Sequence, residues 1–234
     1  MALNSKLDCT SCQTLGLSVF CTLTREEIEQ LNNYKSSFHV KKGQLIFYEE
    51  SEPPGLYCVH RGKVKVFKTT NEGNIQILRL AKDGDIIGYR SLLAGEQYRA
   101  AAEAIEDSQI CLIPKHYIFE LLNKNIHLSL KIMENFAREL KTAEKKNVDL
   151  LHKTSKERLA ESLLLLKDTF GVNDRGFINV VLNREDIANI TGMATETVVR
   201  CLREWNEAGV IDLDKKLIRI TNTKQLLDIA NLKD

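Results

Sequence analysis

Two sets of side chains in this chain have types and spacings that can do chemistry. The first is a set of thiols: Cys9 and Cys12 in a CxxC, then Cys21, Cys58, Cys111 and Cys201. A CxxC alone reads equally as a redox pair or as half of a zinc site. Cys58, Cys111 and Cys201 lie in apolar stretches and read as small buried hydrophobes. The second set lies between Asn183 and Leu202, in NREDIANITGMATETVVRCL. Within it Glu196 and Arg200 stand four residues apart, on one face of a helix. A carboxylate there can accept from a cytosine N4 amine. A guanidinium can donate twice, to guanine O6 and N7.

A base-reading pair needs a scaffold, and the surrounding residues supply one. Asn183 followed by Asp186 predicts an N-cap with an acid in the first helical turn. Ala188 suits a close helix crossing, and Gly192 supplies the positive φ of a tight turn. Ile187, Ile190, Val198 and Leu202 form the apolar faces. Thr195, Glu196, Val199, Arg200 and Arg203 are left on the outer face of the second helix, whose N-terminal residues meet base edges in helix-turn-helix motifs. Val210–Leu213, a turn at Asp214-Lys-Lys, and Leu217–Ile220 predict a two-stranded wing beside it.

The elements upstream follow from pattern. Residues 1–22 are a cysteine-bearing lead whose apolar residues, Leu3, Leu7, Leu15, Leu17, Val19 and Phe20, are too few to fold alone. Thr24 and Glu27 form a capping box for a helix to about Tyr34. Between residues 23 and 124 lie short alternating runs: Gln44–Tyr48, Leu56–His60, Lys63–Phe67, Ile75–Leu80 and Gln109–Ile113. Turn signals at Pro53-Pro-Gly, Arg61-Gly62, Asn71-Glu-Gly and Asp83-Gly-Asp separate them, so a jelly-roll barrel is predicted. A short helix opens at Ile118, and a long one spans Ile126 to Leu151 within a 125–152 segment. Along it Met133, Phe136, Leu140, Ala143, Asn147 and Leu150 alternate steps of three and four, a heptad seam that predicts a homodimer. Thr154 and Glu157 cap the helix that opens a 153–234 domain. The fold class is therefore α+β.

Composition sets bounds. The formal net charge is +1, and from Ser155 onward 12 Lys and Arg face 13 Asp and Glu, so DNA binding must rest on a local basic face. No apolar run approaches the ~18–20 residues of a membrane span, and the N-terminus lacks a signal-peptide pattern. The expectation is a cytoplasmic protein without membrane contact, whose cysteines are not structural disulfides. Neither a P-loop nor a Ser-His-Asp grouping is present, which argues against an enzyme. A thiol-based redox protein is the competing class, but the CxxC lacks the βαβ setting of such sites.

Barrel, long helix and winged helix-turn-helix together resemble the Crp/Fnr superfamily of bacterial transcription regulators over nearly the whole chain. Thr195-Glu-Thr-Val-Val-Arg200 is similar to the family's recognition helix, where a Glu and an Arg four residues later read the TGA part of each half-site. Val199 departs from the pattern: the Fnr branch carries Ser and Crp-like members carry Gly. An apolar side chain there suits a thymine methyl. The resemblance implies two-fold symmetric DNA half-sites and RNA polymerase as partners.

The sensor follows the same comparison. Cyclic-nucleotide-binding members grip ribose and phosphate through Gly-Glu and Arg-Ser. Here Gly84-Asp-Ile-Ile-Gly88-Tyr89-Arg90 puts Tyr89 at the carboxylate position, and the later pair reads Tyr98-Arg99, which argues against a cyclic nucleotide and leaves Arg90 and Arg99 for some other small anion. Cys9, Cys12, Cys21 and Cys111, the last in Cys-Leu-Ile-Pro, are similar to the oxygen-sensing Fnr branch, where three N-terminal cysteines and one barrel cysteine bind a 4Fe–4S cluster. The x8 spacing before Cys21 is longer than that branch's usual pattern. A chain without a cofactor, or with zinc or disulfide switching, stays open. Haem is less supported, since His39, His60, His116, His127 and His152 are scattered.

Overall fold

The computed structural model describes residues 7–70 and 72–232. Leu3 of the lead and Asn71 of the predicted turn lie outside the described residues. The chain divides into two compact units, Met1–Leu140 and Lys141–Asp234.

In the first unit the lead makes two short 3-10 turns, Leu15–Leu17 and Val19–Thr22. Helix α1, Arg25–Tyr34, starts at the predicted capping box: the Thr24 hydroxyl accepts from the Glu27 N–H and the Glu27 carboxylate from the Thr24 N–H. Eight strands follow: β1 (Ser36–Val40), β2 (Leu45–Phe47), β3 (Gly55–Arg61), β4 (Val64–Thr69), β5 (Ile75–Ala81), β6 (Ile86–Ile87), β7 (Ala101–Ala104) and β8 (Ser108–Pro114). Between β6 and β7 lies α2, Tyr89–Ala94, entered through Gly88 at φ 75°. Its left-handed backbone disfavours a side chain, and a Cβ there would press on the Tyr98 ring at 3.0 Å. After β8 come α3 (Lys115–Lys124) and the long α4 (Ile126–His152).

The strands form two antiparallel sheets, ordered β1-β8-β3-β6 and β2-β7-β4-β5. This is the jelly-roll arrangement, but the sheets are open and the expected closed barrel is corrected to a sandwich. Closure requires ladders between edge strands, and β6, with two residues, is too short to extend one. Val59, Val64, Ala102 and Ile110, all fully buried, fill the space between sheets. A second core of Phe20, Leu31, Leu56, Ile86, Tyr117, Ile118 and Leu128 lies under the lead and helices. Each such aliphatic or aromatic side chain contributes about 1.5–3 kcal/mol when fully buried.

The second unit holds α5 (Ser155–Phe170), α6 (Arg184–Thr191), α7 (Thr195–Glu207), the hairpin β9 (Ile211–Asp214) and β10 (Leu217–Ile220), and α8 (Thr223–Ile229). Its core joins Leu159, Leu163, Ile187, Val198, Leu202, Ile211 and Leu226.

Candidate DNA-reading helix and thiol pocket

The turn between α6 and α7 is fixed at both ends. Asn183 Oδ1 accepts from the Asp186 N–H at 2.6 Å and the Asp186 carboxylate accepts from the Asn183 N–H at 3.2 Å, a reciprocal cap that buries Asp186. Gly192, at φ 66°, ends α6. Arg158 Nε donates to the Thr191 carbonyl at 3.1 Å, tying the turn to α5. Helix α7 then buries Val198, Cys201, Leu202 and Trp205 on one face. Glu196, Val199, Arg200 and Arg203 are exposed on the other, and Thr195 is half-buried at its start. Among the described residues no ion pair joins Glu196 to Arg200, whereas Arg203 Nε meets Glu207 at 2.9 Å. The predicted wing is present, its turn made by Lys215 at φ 55°. The Arg175 and Arg219 guanidinium groups each lie 5.1 Å from the centre of the Phe177 ring.

In the first unit four thiols surround one small apolar cavity. It is lined by Cys9, Cys12, Cys58 and Cys111, with His60 and Lys35. Strands β3 and β8 supply two of them, for Cys58 and Cys111 are directly paired across the ladder. The lead supplies the other two. The Cys9 N–H donates to Asn32 Oδ1 at 3.0 Å, the Cys12 N–H to the Cys9 carbonyl at 3.3 Å, and Cys12 Sγ lies 3.3 Å from His60 Nδ1. Cys21 is not among the lining residues: it is exposed on the second 3-10 turn. Cys201 is buried in α7.

Electrostatics distinguish these thiols. Burial pushes Cys9 up to about 12, against the opposing pull of the Lys35 ammonium. Burial likewise raises Cys58 and Cys111, and holds His60 below its ordinary value. Lys35 is itself buried, its ammonium donating to the Leu7 carbonyl. Among the described residues no three His, Cys, Asp or Glu side chains converge on one metal ion. A 4Fe–4S cluster asks for something different, four thiolates each on its own iron and therefore apart. The donor chemistry fits that group, and the buried ammonium is a countercharge for it. The cavity, about 40 Å³, has room for water-sized molecules and not for a four-iron core, so loading would have to move the lead outward.

A second cavity, about 280 Å³, lies beside Gly88. Arg90 and Arg99 both line it, but Arg90 Nε is 3.7 Å from Glu139 and Arg99 is 3.1 Å from Glu96. Tyr98 stacks on Phe47 with ring centres 4.0 Å apart.

Along α4, Met133, Leu140, Ala143, Asn147 and Leu150 of the predicted seam are exposed. Phe136 is half-buried, its ring 5.0 Å from that of Tyr89 in its own unit. Ile126 and Leu130 of α4 are exposed as well, in a row with Met133 and Leu140.

Residues 37–125 match the cyclic nucleotide-binding domain family, and residues 157–229 match the Crp-like helix-turn-helix domain family. The chain is 29% identical over 231 residues to the fumarate and nitrate reduction regulatory protein of Vibrio cholerae, covering 97% of this chain and 91% of that protein. It is 29% identical to the protein of the same name in Escherichia coli K12, over 96% of this chain and 90% of the relative. Among solved structures it is similar to FixK2 from Bradyrhizobium japonicum, with a TM-score of 0.77, 26% identity, and coverage of 86% of this chain and 99% of that one.

Proposed function

The chain belongs to the Crp/Fnr family of transcription regulators, and from that premise we propose a dimer that reads two-fold symmetric DNA through α7 and answers to oxygen through a 4Fe–4S cluster held by its cysteines. The observation that carries the DNA reading is the division of α7, with Val198, Leu202 and Trp205 buried and Glu196, Val199 and Arg200 exposed together. On this reading Glu196 and Arg200 contact base edges, Thr195 and Arg203 flank them, and Val199 meets a thymine methyl. The exposed row on α4 supports self-association across a two-fold axis. RNA polymerase is the expected protein partner and the cytoplasm the expected place of work.

Cluster sensing is supported by thiols facing one cavity beside a buried ammonium. When bound, the cluster would supply an oxygen-labile centre. Cys9, Cys12, Cys21 and Cys111 would hold it, of which Cys9, Cys12 and Cys111 line the cavity. A 29% likeness to proteins named for fumarate and nitrate reduction points the same way. The test compares duplex binding by protein purified without oxygen and by the same protein after exposure to air. A brown anaerobic chain whose affinity falls in air is expected. A colourless chain, or affinity indifferent to air, rejects cluster sensing. The second reading, a cluster-free regulator with a small effector, rests on the cavity beside Gly88.

A further inference from the structure

We propose that Arg184 is a positioning residue for DNA binding: it holds the wing turn in a left-handed conformation from which Lys215 and Lys216 meet the phosphate backbone. This rests on the DNA reading above and adds to it a contact that does not depend on base sequence. Asp214 and Leu217 are paired across the hairpin, so the turn consists of Lys215 and Lys216 alone. Two-residue hairpin loops need a positive φ, which glycine and asparagine supply most readily. This one has Lys215 at φ 55°. Both lysines are exposed, and among the described residues neither has an ion pair. The acids beside them are already matched: Asp214 meets Arg175 Nη2 at 2.8 Å, and Asp212 meets Arg219. The tip is therefore the cationic end of a hairpin whose carboxylates are neutralised along its stem.

The turn is held from the start of α6. Arg184 Nη2 donates to the Lys215 carbonyl at 3.1 Å, while its Nη1 is buried without a hydrogen-bond partner. The stem is held from α7, where Asn206 Oδ1 accepts from the Leu213 N–H at 3.0 Å. The wing is thus fixed at two points to the helix pair that carries Glu196 and Arg200. Neither a lysine in left-handed backbone nor a buried guanidinium nitrogen without a partner favours folding. Two such costs meeting at one turn point to binding, since strain of this kind persists where a site uses it. A phosphate backbone is the partner that two adjacent, unpaired ammonium groups beside a base-reading helix fit.

The test measures duplex binding by the full-length chain over a range of salt concentrations, on a duplex that the parent selects from a random-sequence pool and on a scrambled version of it. Each phosphate contact contributes about 0.9 to the slope of log K against log salt, so a lysine contact repeated in both wings of a dimer contributes about 2. Lys215→Gly and Lys216→Ala should each lower the slope by about that amount and weaken both duplexes equally. Lys215→Gly should melt in denaturant no earlier than the parent, because glycine relieves the left-handed turn. Arg184→Leu should lower the slope as the lysine variants do, and Arg184→Lys, which keeps a donor, should lower it less. In a chain already carrying Lys215→Gly and Lys216→Ala, Arg184→Leu should change nothing further. A further loss in that background makes Arg184 a phosphate contact itself and overturns the positioning role. Unchanged slopes in the lysine variants, or an earlier melt of Lys215→Gly, overturn the wing assignment and leave the DNA reading intact. A parent chain that retains no duplex from the pool overturns both.

Discussion

Glu196 and Arg200 can be separated experimentally because their proposed partners differ. Arg200→Ala should cost about 1–3 kcal/mol of DNA binding and relax discrimination at one G·C pair, the effect of losing a bidentate contact. Glu196→Ala should relax the neighbouring C·G position instead, and binding to a panel of single-substitution duplexes distinguishes them. Equal losses on cognate and random DNA would mean both touch phosphate. The thiols carry a pH signature. Cys9 is raised by burial from its ordinary 9.0 to about 12, so the folded state favours the neutral thiol. The stability gained from keeping it neutral is complete below pH 9.0 and is lost as pH climbs through that window toward about 12. Denaturant midpoints of the reduced, metal-free chain should therefore fall over this range more steeply than those of Cys9→Ala. Because ligation needs thiolates, cluster uptake must release protons and should improve with pH. At this scale the sequence was only half legible. Glu196 and Arg200 could be placed on one face because both lie on the same helix, where both are exposed. The register that sets Cys58 opposite Cys111 joins strands more than fifty positions apart, and a strand pattern in one sequence does not contain it.

Elements were easier to read, where their determinants are local. The boxes at Thr24, Thr154 and Asn183 are side chain-to-backbone bonds three residues apart, so the starts of α1, α5 and α6 could be placed from sequence alone. The positive φ expected at Gly192 is present. Gly192→Ala should reduce stability by about 1–2 kcal/mol, read in a denaturant melt, because an L side chain is disfavoured in that left-handed conformation. The added methyl itself meets no severe obstacle, its nearest neighbour being a Leu150 methyl at 3.6 Å. What sequence could not supply was the choice among faces of α4, which is apolar on more than one side. Leu128 and Ile132 are buried against the first unit and Phe136 leans toward Tyr89, so Phe136 belongs to the packed shoulder. Met133 and Leu140, 55% and 61% exposed, remain for a partner helix. On the dimer reading Leu140→Asp should turn the dimer into monomer in sedimentation, since an unpaired charge would enter an apolar contact. Phe136→Asp should instead lower the melting temperature of the sensor unit.

Over the molecule as a whole, the thiol pocket and the first half of α4 share one core. Cys9, Phe20, Ile113, Tyr117, Ile118, Leu121, Leu128 and Ile132 form a continuous buried cluster, with Phe136 packed against it. Moving the lead outward to admit a cluster therefore disturbs the packing from which α4 emerges, and cores respond to such changes discretely because they are densely filled. Arg79 of β5 and Arg90 of α2 both meet Glu139 of α4, a second attachment of the long helix to the first unit. If this is the route by which oxygen reaches DNA binding, a tenfold change in affinity requires about 1.4 kcal/mol of coupling between the two sites. Truncating Phe136 should weaken that coupling without removing a cluster ligand or a base contact. Phe136→Ala should then load iron and sulfide to the parent's level and still bind DNA, yet show a smaller ratio between anaerobic and air-exposed affinities. Coupling is also reciprocal. Cognate duplex should raise the parent's resistance to iron removal by a chelator at equilibrium by the same factor, and do so less in Phe136→Ala. An unchanged affinity ratio in the variant would place the route elsewhere, with the Glu139 ion pairs next to be tested by Glu139→Gln.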